Sequence, residues 1–237
     1  MEEQRTTTMM KTENIWKAAR SSLGSSLRCF DTSRRWYESH RSIISPPLEE
    51  KPNYLLDQLN QKVKVAVIGG GNWGSAVARK VGFVLSQLDN PTVDTNVKMW
   101  IYEEIVNGQK LSEIINSKRE NVKYLPGIYI PQNVKAVPDL IEVVKDSNVL
   151  LFVLPHSFLR GILRQLKGVV NPNTICVSFI KGVQVTPSGE LKRYSEIIKD
   201  ELGVNHVAAV MGANLATDIA RRFIFILWTL CFTVLRR

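Results

Sequence analysis

A chain of 237 residues, 44% hydrophobic and 22% charged, has the composition of an ordinary globular protein able to bury a full core, and one domain with tails is the starting expectation. Its formal net charge of +9 is spread thinly: nine Lys/Arg oppose eight Asp/Glu over residues 1 to 61, 18 oppose 14 over 62 to 220, and the last 17 residues add four arginines. No basic face results, which argues against nucleic acid as a partner and suits a small anionic molecule equally well.

Residues 1 to 60 are rich in Ser, Thr and Arg, pass through Ser45-Pro46-Pro47 and hold no sustained apolar period, so they read as a disordered arm. Between Lys11 and Arg41 the balance is basic with Trp16, Leu23, Leu27 and Phe30 interspersed, loosely as in an organelle transit peptide. Glu2, Glu3, Glu13, Asp31 and Glu38 count against that reading, and the cytoplasm is the expected location.

From residue 61 the character changes. Val63 to Ile68 is a short β-branched run ending in three glycines, as expected of a buried parallel strand. The apolar spacing then predicts a helix over Asn72 to Leu88, a strand over Val97 to Tyr102, a helix over Gly108 to Lys118 and a strand over Val134 to Val137. Helix Pro138 to Lys145, strand Val149 to Leu154, helix Ser157 to Leu166, strand Thr174 to Phe179, helix Gly189 to Leu202 and strand Val207 to Met211 follow. Strands alternating with helices imply an α/β domain over 61 to 220, with a doubly wound parallel sheet of the Rossmann type. Such a sheet binds ligands beyond the carboxyl ends of its strands, so the residues just after each strand carry the most functional weight.

Gly69-Gly70-Gly71-Asn72-Trp73-Gly74 satisfies GxGxxG directly after the first strand and at the opening of the first helix. Gly69 suits the tight turn, Gly71 lets the backbone approach a pyrophosphate, and Gly74 lets helix and strand pack closely. The diphosphate would then rest on exposed N–H groups of the helix N-terminus. The second strand ends Tyr102-Glu103-Glu104, where carboxylates would repel a 2′-phosphate and favour NAD over NADP, and where Tyr102 could stack on adenine. The cysteines Cys29, Cys176 and Cys231 and the histidines His40, His156 and His206 are too scattered for a disulfide framework or a metal site, and no metal is expected.

Six segments in order, Gly69 to Ala76 (GGGNWGSA), Met99 to Glu104 (MWIYEE), Lys110 to Gly127 (KLSEIINSKRENVKYLPG), Phe152 to Phe158 (FVLPHSF), Phe179 to Val183 (FIKGV) and Met211 to Ala216 (MGANLA), resemble consecutive signatures of the NAD-dependent glycerol-3-phosphate dehydrogenases. The resemblance implies reversible hydride transfer between NAD(H) and a small phosphorylated three-carbon substrate, interconverting dihydroxyacetone phosphate and sn-glycerol 3-phosphate. It also implies that Gly69 to Gly74 wrap the pyrophosphate, that Tyr102 and Phe158 flank the dinucleotide, and that the backbone of Ala213 touches it. Lys181 matches the family's substrate-binding lysine near the reacting carbon, where its ammonium could pair with a developing alkoxide and burial beside other charge could suit it to proton transfer. Asn214 lies where it could meet nicotinamide or substrate, or cap a helix, and His156 follows a strand where a backbone hydrogen bond is the plainer role.

After Ala220 the pattern of that family breaks. The helical domain that in the family supplies a second lysine, a phosphate-gripping arginine and much of a dimer interface is not recognised, so a homodimer is doubtful and a nucleotide-binding module with little turnover is the alternative reading. Residues 221 to 237 form an apolar and basic tail whose 13-residue apolar run is shorter than the ~20 residues that span a bilayer.

Overall fold

The computed structural model describes residues 62–185, 189–210 and 216–221. The expected arm and the tail beyond Arg221 lie outside the described residues.

Six strands form one parallel sheet: β1 (Val63–Ile68), β2 (Val93–Trp100), β7 (Val134–Val137), β8 (Val149–Phe152), β9 (Ile175–Ser178) and β12 (His206–Ala209). Their spatial order is β12-β9-β8-β1-β2-β7. The chain therefore runs from the central β1 to one edge through β2 and β7, then returns to β8 on the other side of β1 and runs outward through β9 to β12. That reversal makes the β1/β8 junction the switch point of a doubly wound fold, and a crevice opens there beyond the strand ends. The helices are α1 (Asn72–Ser86), α2 (Leu111–Lys118), α3 (Leu140–Lys145), α4 (His156–Leu166), α5 (Tyr194–Leu202) and α6 (Ala216–Arg221).

The sheet is apolar on both faces, and the period of two decides which residue serves which face. Ala66, Ile68, Leu150 and Phe152 join a core built with Val143 of α3, Leu159 and Leu163 of α4 and Ile198 of α5. The intervening Val67, Leu151 and Val153 join Val97 and Met99 in a second core with Val77 of α1 and Ile115 of α2. Ile68, Leu150 and Phe152 are fully buried, each stabilising the fold by roughly 1.5–3 kcal/mol. A third, smaller cluster sets Ala216 and Ala220 of α6 against Ala76 of α1, Leu125 and Ile128.

Three antiparallel hairpins depart from the expected elements. Helix α2 begins at Leu111 rather than Gly108, because β3 (Ile105–Val106) and β4 (Gln109–Lys110) form a hairpin around Asn107 and Gly108, both at positive φ. Two consecutive positive φ values match the twist of the flanking strands, and Asn-Gly suits them. Helix α5 likewise begins at Tyr194 rather than Gly189, since β10 (Val183–Val185) pairs with β11 (Leu191–Arg193), and Glu196 then accepts the Arg193 N–H at the helix start. The third hairpin, β5 (Glu120–Asn121) with β6 (Leu125–Tyr129), falls where no element is expected. Strand β2 starts earlier than expected, at Val93, and ends at Trp100, which leaves Tyr102 beyond the strand.

Candidate cofactor site

The turn from β1 into α1 is built around two close backbone approaches. Gly69 has φ +128° and lies so near the β8 end that a Cβ there would sit 2.0 Å from the Val153 carbonyl oxygen. A Cβ on Gly74 would sit 1.8 Å from the Gly69 oxygen, so α1 folds back directly onto the turn. Gly70 is a packing position as well, because Ile101 Cγ2 would lie 2.2 Å from its Cβ. Gly71 differs from all three. It caps α1 in an extended conformation (φ −70°, ψ −170°) that any residue adopts, and nothing lies within 4 Å of where its Cβ would be.

That open space belongs to a cleft of about 1510 Å3 along the carboxyl ends of the strands, larger than the roughly 300–1,000 Å3 of usual ligand pockets. Gly69, Gly70, Gly71, Asn72, Trp73 and Gly74 form its floor; Trp100 to Glu104 and Pro138 to Ile141 line one side. Val153 to His156, Phe158 and Phe179 to Lys181 line the other. Tyr102 and Phe158 stand at the cleft with 74% and 62% of their surface exposed. Lys181 follows β9 and is exposed, so the burial that would suit it to proton transfer is missing. It is the one Lys or Arg among the described lining residues. His156 opens α4 and rests its ring on Tyr194, the centroids 5.7 Å apart. Ala213 and Asn214 lie outside the described residues.

The carboxylates after β2 are more tightly engaged than the sequence suggests. Glu103 accepts from the Ser112 N–H at 3.1 Å and the Ser112 hydroxyl at 2.5 Å, which ties it to the first turn of α2. Glu104 accepts the Tyr124 hydroxyl at 2.6 Å and a short hydrogen bond from the Lys123 ammonium. The Lys123 hydrogen bond first, then that of Tyr124, holds the Glu104 carboxyl below its ordinary range; the same contact raises Lys123, and the Glu104 bond raises Tyr124.

Beneath the glycine turn lies a residue to which sequence reasoning assigns no role. Asn121 is fully buried and donates to the Gly70 carbonyl oxygen at 2.8 Å and to Ser75 Oγ at 2.8 Å. Its own Oδ1 accepts the Tyr124 N–H at 3.1 Å. Asn121 lies within the segment Lys110 to Gly127 that carries the resemblance, but its burial follows from the docking of the β5–β6 hairpin and leaves no mark in the sequence.

Residues 64–231 match the family model described as the N-terminus of NAD-dependent glycerol-3-phosphate dehydrogenase. The chain belongs to that family. The rat protein named glycerol-3-phosphate dehydrogenase [NAD(+)], cytoplasmic, is 48% identical over 157 residues, which cover 66% of this chain and 44% of the relative. A Caenorhabditis elegans protein named probable glycerol-3-phosphate dehydrogenase 2 is 48% identical over 166 residues, covering 66% and 42%. Among solved structures, the Saccharomyces cerevisiae glycerol-3-phosphate dehydrogenase superposes with a TM-score of 0.63 at 44% identity over 68% of this chain and 44% of that one. The Plasmodium falciparum glycerol-3-phosphate dehydrogenase gives 0.63 at 34% identity, covering 70% and 45%. The chain thus spans less than half the length of these relatives. Membership makes NAD the cofactor of the domain, and the open Gly71 above a helix N-terminus fits a dinucleotide's diphosphate.

Proposed function

We propose that this chain supplies the dinucleotide-binding part of a glycerol-3-phosphate dehydrogenase that interconverts dihydroxyacetone phosphate and sn-glycerol 3-phosphate. The observation that carries this is the contrast within one turn: Gly69 and Gly74 are packed against backbone, whereas Gly71 faces open cleft at the start of a 15-residue helix. The turn from Gly69 to Gly74 wraps the diphosphate, which meets the N–H groups at the start of α1, and Tyr102 and Phe158 flank the dinucleotide with their exposed rings. NAD(H), when bound, supplies or accepts the hydride. Lys181 meets the negative charge that gathers on the ketone oxygen, a stabilisation that grows once bound substrate and cofactor exclude water from the cleft. By the family resemblance, the backbone of Ala213 touches the cofactor and Asn214 meets nicotinamide or substrate. A cytoplasmic location belongs to the same reading, following the name of the rat relative.

A second reading is favoured by a specific observation: among the described lining residues no arginine is present to grip a substrate phosphate. Without that grip the substrate is not kept within near-attack distance, and the chain by itself binds nucleotide with little turnover. Titrating the chain with NADH, and following NADH oxidation with dihydroxyacetone phosphate, separates the two. Binding with turnover supports the first reading, binding without turnover the second, and absence of NADH binding overturns both.

A further inference from the structure

Every polar atom of the Asn121 side chain is committed to the glycine turn or to the loop that brings Asn121 there. Its amide nitrogen donates to the Gly70 carbonyl oxygen and to Ser75 Oγ, and its Oδ1 takes the Tyr124 N–H. The partners fix which end is which, because a carbonyl oxygen needs a donor and an N–H needs an acceptor. The Ser75 hydroxyl, itself fully buried, donates to the same Gly70 oxygen at 3.3 Å. The Gly70 carbonyl is therefore held from two directions, and both holds lie on the inner side of the turn.

The peptide plane turns that into a statement about the cleft. In a trans peptide the C=O and the following N–H point in opposite directions, so a Gly70 carbonyl drawn inward sends the Gly71 N–H outward. Outward here is the open space over Gly71. A Gly-Gly junction has no Cβ to bias this plane, and glycine visits both signs of φ readily. The orientation must come from elsewhere, and Asn121, 51 residues away along the chain, is in place to supply it.

We propose that Asn121 is a positioning residue which, with Ser75, keeps the Gly70–Gly71 peptide turned so that its N–H faces the diphosphate of the bound dinucleotide. Asn121 touches no ligand itself. The β5–β6 hairpin thereby acts as a brace for the cofactor turn, and its docking sets how much of the binding energy the turn delivers. This rests on the dinucleotide reading above, and the test separates the two.

Asn121→Ala and Ser75→Ala are compared with the unaltered chain for binding of NADH, ADP and adenosine, for melting temperature, and for nitrogen relaxation at Gly71 by NMR. Each variant is expected to weaken NADH and ADP about tenfold while leaving adenosine unchanged, since only the diphosphate meets this peptide. The double variant is expected to lose little more than either single one, because both remove the same restraint. Gly71 should be ordered in the unaltered chain and exchange-broadened in the variants, a readout that needs no ligand. Ser75→Ala removes a single hydroxyl and decides the matter should Asn121→Ala not fold. Equal NADH binding by folded variants, or a lower melting temperature with unchanged NADH and ADP affinity, overturns the brace and leaves the dinucleotide reading standing. An unaltered chain that binds no NADH overturns the dinucleotide reading and with it the proposed role of the brace.

Discussion

Ser112 holds the Glu103 carboxylate by both oxygens, through its N–H at 3.1 Å and its hydroxyl at 2.5 Å. Each oxygen keeps a second lone pair, so Glu103 is aimed rather than used up. A fixed negative charge beside the cleft tolerates a ribose hydroxyl and opposes a 2′-phosphate. The chain is expected to bind NADH more tightly than NADPH, and Glu103→Gln to narrow the gap by about tenfold. Ser112→Ala, which removes the hydroxyl but keeps the N–H, should narrow it by less. Fluorescence titration with both nucleotides checks this, and equal or tighter NADPH binding by the unaltered chain would remove Glu103 from the account of specificity.

Gly71 and Gly74 should respond to substitution in opposite ways. Gly71→Val puts its side chain into open cleft from a backbone conformation valine accepts, so NADH binding should vanish with the melting temperature nearly unchanged. Gly74→Ala drives a methyl to 1.8 Å from the Gly69 oxygen and should cost about 1–3 kcal/mol or more of stability. Thermal unfolding alongside NADH titration separates loss of site from loss of fold. A destabilised Gly71→Val would mean that its surroundings are packed after all.

The Glu104–Lys123–Tyr124 cluster gives stability a defined pH window. Glu104 is held below its ordinary 4.5 by Lys123 and then Tyr124, so its contribution is present above that pH and lost as pH falls through the depressed value. Lys123 is raised above its ordinary 10.5 by Glu104, so its contribution is present below that pH and lost as pH rises through the raised value. Glu104→Gln should lower the melting temperature between these limits, by progressively less as pH falls through the depressed Glu104 value. Equal melting of the two proteins near neutral pH would show that the cluster contributes nothing to stability.

Cys176 sits fully buried in the core beside Phe152 and Leu150, and burial pushes its thiol up to about 12. With Cys29 and Cys231 replaced by Ser, the native chain should resist a thiol reagent near neutral pH and react in full once unfolded by denaturant. The labelling rate then measures opening of the central sheet. Rapid labelling of the native protein would contradict the packing of β9 against its neighbours.

The parts of the fold legible in the sequence are those where one side-chain period runs long enough to be seen. Val63 to Ile68 carries its signal alone, and α1 and α4 match their expected spans to within two residues. Hairpins of two or three residues per strand have no period to show, and the expected helices absorbed Gly108 and Gly189 as ordinary first turns. Asn107-Gly108 between Val106 and Gln109 was a readable turn signal, because both residues need positive φ. At the site, the glycine turn and Tyr102 follow strand ends, whereas Phe158 and Lys181 were marked by the family resemblance; all of them line the cleft. The engagement of Glu103 by Ser112 and of Gly70 by Asn121 was not legible, since a hydrogen bond across 9 or 51 residues exists only once the hairpins have docked.

The strand order also governs how the chain emerges during synthesis. Strand β1 finds β2 soon after it is made, but its other edge waits for β8, which starts at Val149. Over that interval a nascent chain carries Val65 and Val67 on an open central strand, with its N–H and C=O groups unpaired on one side, the kind of edge that recruits strands from other molecules. The exposure lasts until β8 has left the ribosome and paired with β1, and β8 in turn carries an open edge until β9, which begins at Ile175, reaches it.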